Sequence, residues 1–325
     1  MVFPLSTPAA WATIIGLVAA TVSATGPGTS AKPSRMDKPA VGVRYHTASV
    51  DGRMIFYREA GESKQSTIVL LHGFPSSSHM YRELIPALAD HFHVIAPDYI
   101  GFGYSEAPSA REFAYTFDNL TRYVTGLIDQ LGLTSYVLYM QDYGGPIGFR
   151  IAASRPDAIK GVVIQNANAY LEGIGDMPKK VFLPLWEKRD AASEAAASAL
   201  LTPEATKFQY TAGAKSAESL NPDAWTFDQA LLDRPGTRDY QLDLLENYKT
   251  NVAAYEAWHS AFRMNRPKTL ILWGKNDPIF IAPGAEAYKR DLPDAKLVWL
   301  EGGHFALEEN VSDVAREIEA MFSGR

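Results

Sequence analysis

The chain has no cysteine among its 325 residues, which excludes disulfides, thiolate nucleophiles and cysteine-ligated metals. Histidine is also scarce: the seven are scattered, and only His91 and His93 lie close together, so no metal centre is expected. Positive charge is in deficit. Because the net charge is −6, neither nucleic acid nor an anionic membrane surface is an expected partner.

Residues 1–40 are predicted to be a signal-like segment and a linker outside the folded domain. An apolar stretch at 9–20 is followed by the small residues 22–24, a pattern typical of a signal peptide and its cleavage site. No lysine or arginine precedes Lys32, and the apolar stretch is too short to predict a stable membrane span. We expect an exported protein that begins shortly after Ala24, with a cytoplasmic protein as the alternative. N-terminal sequencing of the native protein distinguishes the two.

The rest of the chain has the length and apolar content for one α/β domain with an insertion, and residues 135–149 are its centre. An apolar, β-branched and aromatic run at 135–140 predicts a buried strand. A glycine-containing turn and a helical pattern at 147–154 follow, which is the strand, turn and helix of a nucleophile elbow. Asp142 occupies the nucleophile position, where a carboxylate can attack an alkyl carbon and form an ester. The alternative is an ordinary loop in which Asp142 caps the helix.

The segment Gln141-Asp142-Tyr143-Gly144-Gly145 resembles the elbow of the α/β-hydrolases that use an aspartate nucleophile, the haloalkane dehalogenases and epoxide hydrolases. The resemblance extends over residues 41–323. It implies the α/β-hydrolase fold, an α/β architecture in which a mostly parallel central sheet is flanked by helices. The catalytic domain would comprise 41–169 and 263–325, and a helical cap would occupy 170–262.

Further motifs extend the resemblance to the site. The turn His72-Gly73-Phe74-Pro75 resembles the HGxP turn of the family, which implies an oxyanion hole formed by the backbone N–H groups of Phe74 and Tyr143. We interpret the His72 side chain as structural.

The loop that contains Asp277 resembles the acid loop of the family, and the loop that contains His304 resembles its histidine loop. Asp142, Asp277 and His304 then follow the nucleophile, acid and histidine order of α/β-hydrolases. One dehalogenase subfamily carries its acid after the preceding strand, where this chain has Asn166 and Asn168. We interpret these amides as hydrogen-bonding groups of the loop.

This resemblance implies a two-step reaction. Asp142, already ionised at neutral pH, attacks an sp³ carbon and becomes an alkyl ester. His304, oriented by Asp277, then removes a proton from the water that hydrolyses the ester. Neither cofactor nor metal is needed, and the expected partners are a small apolar organic substrate and water. The oligomeric state is not predicted.

The substrate class depends on the group that receives the leaving atom. An epoxide oxygen needs an acidic O–H donor, and Tyr210 and Tyr248 resemble the lid tyrosines of epoxide hydrolases. A halide needs N–H donors, which Trp186 or Trp225 could supply. Dehalogenases typically place tryptophan where this chain has Tyr143.

We therefore expect an epoxide hydrolase. A haloalkane dehalogenase is the alternative, which Gln141 before the nucleophile favours. A carboxylic esterase and a catalytically idle binding module are further alternatives, which ester turnover and ligand binding without covalent labelling would reveal.

Overall fold

The computed structural model describes residues 42–323, and the predicted signal-like segment and linker at 1–40 lie outside this range. The described chain forms one eight-stranded sheet in the order β1-β2-β4-β3-β5-β6-β7-β8. β2 runs antiparallel to both of its neighbours, and the other pairs are parallel. The prediction of a mostly parallel sheet flanked by helices is confirmed. The strands are β1 Arg44–Val50, β2 Arg53–Ala60, β3 Ser66–Leu71, β4 Phe92–Pro97, β5 Tyr136–Gln141, β6 Ile159–Gln165, β7 Thr269–Gly274 and β8 Lys296–Leu300.

Helices cover both faces of the sheet and fill the long connection between β6 and β7. Five belong to the sheet domain: α1 Leu84–Leu88, α2 Phe117–Gln130, α3 Gly144–Ser154, α10 Ala282–Ala287 and α11 Leu307–Phe322. Six lie between β6 and β7: α4 Asp176–Glu187, α5 Ala191–Ser198, α6 Pro203–Thr211, α7 Pro222–Leu232, α8 Thr237–Asn247 and α9 Lys249–Asn265. We call residues 171–265 the helical insertion.

The sheet places the candidate site at one edge. Strands β3, β5, β6, β7 and β8 are parallel, so their carboxyl ends meet on the same side. Strands β5 and β7 are buried along their whole length and β6 from Gly161 onward, which agrees with their continuous apolar sequences. Loops that follow β3, β5, β7 and β8 therefore come together although they are far apart in sequence.

The sequence pattern predicts a helix at 80–89 and one long helix at 237–262, and the structure differs from both predictions. The helix predicted at 80–89 is confined to α1, because Pro86 lacks an N–H and is tolerated only in a first turn. The single long helix predicted at 237–262 is two helices that meet at Tyr248. At this junction the Asn247 side chain turns away to accept a hydrogen bond from the Phe117 backbone N–H (3.0 Å).

None of the helices within residues 42–323 combines the length and the apolar character needed to cross a bilayer.

Candidate active site

The turn between β5 and α3 presents Asp142 in a sharp, strained conformation. Asp142 has a φ of +47°, a left-handed conformation that non-glycine residues rarely adopt. Gly144 makes the turn possible, since a Cβ atom there would lie 2.1 Å from the Leu71 carbonyl oxygen. Strand β3 and helix α3 thus approach each other closely, and the carboxylate projects beyond the sheet edge.

One oxygen of the Asp142 carboxylate is held by the backbone. The Phe74 N–H donates to Oδ1 at 2.7 Å, and the Tyr143 N–H also stabilises the charged carboxylate. Burial raises the pKa of Asp142 above its usual value, while His304 and the two backbone N–H groups oppose that rise. Because Oδ1 is engaged, Oδ2 is the oxygen available to attack.

His304 lies between the two aspartates. Its Nδ1 is 2.8 Å from Asp277 Oδ2, and its Nε2 is 3.8 Å from Asp142 Oδ2. Burial lowers the pKa of His304, but the charges of Asp277 and Asp142 outweigh that effect and leave the pKa raised. The ring is therefore oriented by Asp277, with Nε2 directed at the nucleophile.

Four donors hold the Asp277 carboxylate. Its Oδ1 accepts from the N–H groups of Ile279 (2.7 Å) and Phe280 (3.1 Å), and its Oδ2 accepts from Asn166 Nδ2 (2.7 Å) as well as from His304. These donors satisfy both oxygens of the buried carboxylate and fix its orientation. The structure thus brings together Asp142, Asp277 and His304.

A cavity of about 420 Å³ opens onto Asp142. Most of its wall is apolar, and much of that wall comes from the helical insertion. The lining residues are Phe74, Asp142, Tyr143, Met177, Pro178, Phe182, Ala199, Leu200, Thr202, Glu204, Ala205, Phe208, Gln209, Leu245, Tyr248, Ile279 and Phe280. A wall of this kind binds a small apolar molecule and excludes water from the carboxylate.

Two phenols in this wall have no hydrogen-bond partner. The hydroxyls of Tyr143 and Tyr248 are buried and meet no donor or acceptor in hydrogen-bond geometry within residues 42–323. Their ring centroids are 6.1 Å apart. The Tyr255 hydroxyl is the polar group that interacts with Tyr248, without hydrogen-bond geometry, and it accepts from Asn168 Nδ2 (3.2 Å). Burial raises the pKa of both unpartnered phenols well above the usual value, so they stay protonated and able to donate.

The placement of Tyr210 corrects one expectation. Its hydroxyl donates to Asp228 Oδ2 (2.5 Å), and its ring stacks on Phe305 with centroids 3.9 Å apart. The residues of this helix that line the cavity are instead Glu204, Ala205, Phe208 and Gln209. Consecutive helical residues point about 100° apart, so Tyr210 faces the sheet domain and is not available to a leaving group.

The expectation for the tryptophans is corrected as well. Trp186 Nε1 donates to the Leu245 carbonyl (2.9 Å), which uses the only N–H of the indole. Its ring stacks behind Tyr248, with the two planes 3° apart. Trp225 packs beside Lys207 and does not line the cavity.

Two contacts were not anticipated from the sequence. Asn166 links the acid to β7, because it donates to Asp277 and accepts from the Gly274 N–H (3.0 Å). The side chain of Tyr143, expected only to contribute its backbone N–H, faces the cavity. A sequence signal existed for Asn166: it follows β6 directly, beside the carboxyl end of β7, so its side chain could reach the Asp277 loop.

His72 and Asp98 support the site without lining the cavity. Burial lowers the pKa of His72 to about 3, and its Nε2 accepts from the Tyr99 N–H (3.3 Å). Asp98 accepts from the N–H groups of Ser78 (2.7 Å) and Tyr104 (2.8 Å). Both side chains hold loops, which for His72 is the structural role expected from the sequence. Residues 42–323 contain no group of three His, Asp or Glu side chains suited to a metal ion.

This arrangement, a strained aspartate at a β5–α3 elbow with a histidine and a second aspartate, defines the class of the protein. A family model described as the alpha/beta hydrolase fold matches residues 66–311, and the chain belongs to that family. It is an enzyme of the hydrolase class. A Saccharomyces cerevisiae protein named uncharacterized hydrolase YNR064C is 42% identical over 284 residues, which cover 86% of this chain and 97% of the yeast protein.

Haloalkane dehalogenases are also similar to the chain. The enzyme of Bradyrhizobium diazoefficiens is 39% identical over 143 residues, which span 44% of this chain and 43% of that enzyme. The crystal structure of haloalkane dehalogenase DbeA from Bradyrhizobium elkani superposes with a TM-score of 0.72 over 87% of this chain and 98% of its own. At 24% identity, that likeness concerns the fold.

Proposed function

We propose that this hydrolase opens epoxides to vicinal diols through a covalent ester on Asp142. The observation that carries the proposal is the pair of buried, unpartnered phenols, Tyr143 and Tyr248, in the wall of the cavity that contains the nucleophile. A buried polar group without a partner is costly unless a ligand satisfies it. Two O–H donors match the need of an epoxide oxygen that leaves as an alkoxide.

In the first step, Asp142 Oδ2 attacks one epoxide carbon and the bond from that carbon to the ring oxygen breaks. The oxygen takes a proton from a phenol of the Tyr143 and Tyr248 pair and becomes a hydroxyl. An unpaired alkoxide in this apolar cavity would be very costly, so the donors lower the barrier of ring opening. The product of this step is a hydroxyalkyl ester of Asp142.

In the second step, His304 Nε2 takes a proton from water, and the hydroxide attacks Cγ of the ester. Oδ1 becomes the oxyanion, already hydrogen-bonded to the Phe74 N–H, and the Tyr143 N–H interacts with the same carboxylate. Collapse releases the diol and restores the carboxylate, while the proton held by His304 returns to the phenolate. All atoms of the epoxide and of one water are accounted for in the diol.

The cavity also favours an uncharged substrate. Its charged lining groups are Asp142 and Glu204, and no lysine, arginine or histidine of residues 42–323 is among the lining residues. An anionic epoxide would approach two carboxylates without a counterion. We therefore infer neutral epoxides of a size that fits about 420 Å³.

Haloalkane dehalogenation is the second candidate, and the similarity to haloalkane dehalogenases supports it. A halide is best held by N–H donors. Trp186, which was expected as such a donor, instead donates its N–H to the Leu245 carbonyl, and this argues against dehalogenation. The side-chain amide of Gln209 is a remaining N–H group in the wall.

The test is a paired assay on styrene oxide and 1-bromobutane. The Tyr143→Phe, Tyr248→Phe double variant should form diol at least about 10²-fold more slowly than the unchanged protein, because both O–H donors are gone. The backbone N–H at position 143 is retained. Tyr210→Phe is the matched control, a buried phenol committed to Asp228, and should form diol at an almost unchanged rate. Bromide release at equal rates from the unchanged and double-variant proteins, without diol from either, would establish the dehalogenase instead.

A further inference from the structure

Gln141, the last residue of β5, contacts the free nitrogen of the histidine. Its side chain is fully buried, and its Nε2 lies 3.3 Å from His304 Nε2. The other ring nitrogen, Nδ1, is engaged by Asp277 at 2.8 Å. Nε2 is therefore the atom that must accept a proton from water, and the Gln141 amide faces that atom directly.

The surroundings fix which end of the amide faces the ring. A Cβ atom built on Gly73 would lie 2.2 Å from Gln141 Oε1, so a Cα–H of Gly73 points at this oxygen. Such a C–H group is a weak donor, and Oε1 has no other hydrogen-bond partner within residues 42–323. The oxygen is therefore directed at Gly73, and the NH₂ group is directed at His304.

We infer that Gln141 is a positioning residue that holds His304 in its neutral, proton-accepting form by donating a hydrogen bond to Nε2. Only the neutral ring has a lone pair there, since the imidazolium would oppose one N–H with another. The catalytic meaning of this contact rests on the proposed function, in which His304 is the base of the second step. At 3.3 Å the bond is long, so the attacking water can displace it at small cost.

The hydrogen bond from Gln141 favours neutral His304, whereas the two charged groups packed against the His304 ring favour its protonated form. Asp277 follows β7 and Asp142 follows β5, and both carboxylates favour the imidazolium. Within residues 42–323, the aromatic rings that contact His304 are those of Phe280 and Phe305, which carry no charge. Without Gln141, the carboxylates would hold the proton on His304 to higher pH, and fewer molecules would have a base ready.

The direct test is a titration of His304 by NMR in protein labelled with ¹⁵N-histidine, with the His304 signals assigned by their loss in His304→Gln. Gln141→Met removes the donor at nearly constant volume, and we expect the pKa of His304 to rise by about 0.5–1 unit, the worth of one hydrogen bond.

Gln165 offers a matched control. It ends β6, pairs in register with Gln141, is equally buried and contacts Tyr139 rather than His304. Gln165→Met should leave the pKa of His304 unchanged.

The functional readout is the pH dependence of ester hydrolysis in single turnover with styrene oxide. In Gln141→Met, the midpoint of the pH profile for ester hydrolysis should move to higher pH by roughly the same 0.5–1 unit. The alkylation rate at pH above the midpoint should stay close to that of the unchanged protein. Gln141→Asn keeps a neutral amide but withdraws it by one methylene, so it should shift the midpoint in the same direction and serves if the methionine variant does not fold.

An unmoved or lowered pKa of His304 in both variants would overturn the role of Gln141. Because this titration needs no substrate, it is separate from the proposed function, which fails instead if the unchanged protein never alkylates Asp142.

Discussion

The two halves of the site treat their polar groups differently. At the strand ends, the two carboxylates of the site have partners: Asp277 accepts four hydrogen bonds, and Asp142 is held by the Phe74 backbone. On the opposite wall, the Tyr248 hydroxyl of the helical insertion has none within residues 42–323. A polar group whose hydrogen bonds are all made within the protein is held in place before the substrate arrives. A buried polar group without a partner gains its hydrogen bond from the ligand. The carboxylates at the strand ends are therefore fixed in advance, whereas the Tyr248 hydroxyl of the insertion is free to bind the substrate.

Tyr210 and Tyr248 show the same contrast within the insertion. Both phenols are buried, but Tyr210 donates to Asp228, and the Asp228 carboxylate also accepts from Ser76 Oγ (3.3 Å). This cluster joins α6 and α7 to the loop after β3. Tyr210 therefore attaches the insertion to the sheet domain, while Tyr248 faces the cavity. Substitutions on the two sides should separate stability from chemistry.

The largest effect is expected from Asp142→Asn. An amide cannot displace the leaving group, so turnover should fall by roughly 10⁴-fold or more, as for nucleophiles elsewhere. The measurement is the initial rate on styrene oxide, with thermal unfolding as the control. Removing a buried charge of raised pKa should not lower stability, so an inactive but folded protein is expected. Retained turnover would place the chemistry outside this carboxylate.

His304→Gln should separate the two steps. Alkylation does not need the base, whereas ester hydrolysis should slow by about 10²–10⁴-fold. Intact-mass spectrometry after mixing with substrate should show the adduct on most molecules. A folded variant that consumes substrate without ever showing an adduct would contradict this division of labour.

The cluster of Asp228, Tyr210 and Ser76 should make the stability of the protein depend on pH. Burial raises the pKa of Asp228 to about 7 in the folded protein, against 3.8 for an ordinary aspartate. Between these values the folded state holds more protons than the unfolded state, so the free energy of unfolding falls as pH rises from about 4 to 7. Asp228→Asn should remove this fall, and urea unfolding at several pH values measures it. Parallel pH profiles for both proteins would exclude Asp228 as the source.

The smallest effect is expected from Tyr210→Phe. Losing its hydrogen bond to the buried Asp228 should lower the free energy of unfolding by about 1–3 kcal/mol. Diol formation should stay nearly constant because the hydroxyl does not face the cavity. Tyr248→Phe should show the reverse pattern, with stability kept and ring opening slowed. If both variants lost activity alike, the contrast between the two phenols would not hold.

Local motifs made the strand-end half of the site predictable. Asp142 directly follows β5, and Asp277 and His304 lie in the loops that begin at the ends of β7 and β8, so the sheet brings all three to the same edge. The prediction that Tyr210 faces the cavity was wrong. The direction in which a helical side chain points depends on where the helix begins, and a shift of one residue turns it by about 100°. The Trp186 hydrogen bond to Leu245 joins residues 59 apart, a tertiary contact without a local sequence signal.

A single turnover in ¹⁸O-water tests directly whether Asp142 becomes an ester. With enzyme in excess over styrene oxide, the oxygen added to the first-turnover diol should be ¹⁶O from the Asp142 carboxylate, and ¹⁸O should enter that carboxylate. Mass spectrometry of the diol and of the peptide containing Asp142 reads both results. A first-turnover diol carrying solvent ¹⁸O, with an unlabelled Asp142 peptide, would contradict the account.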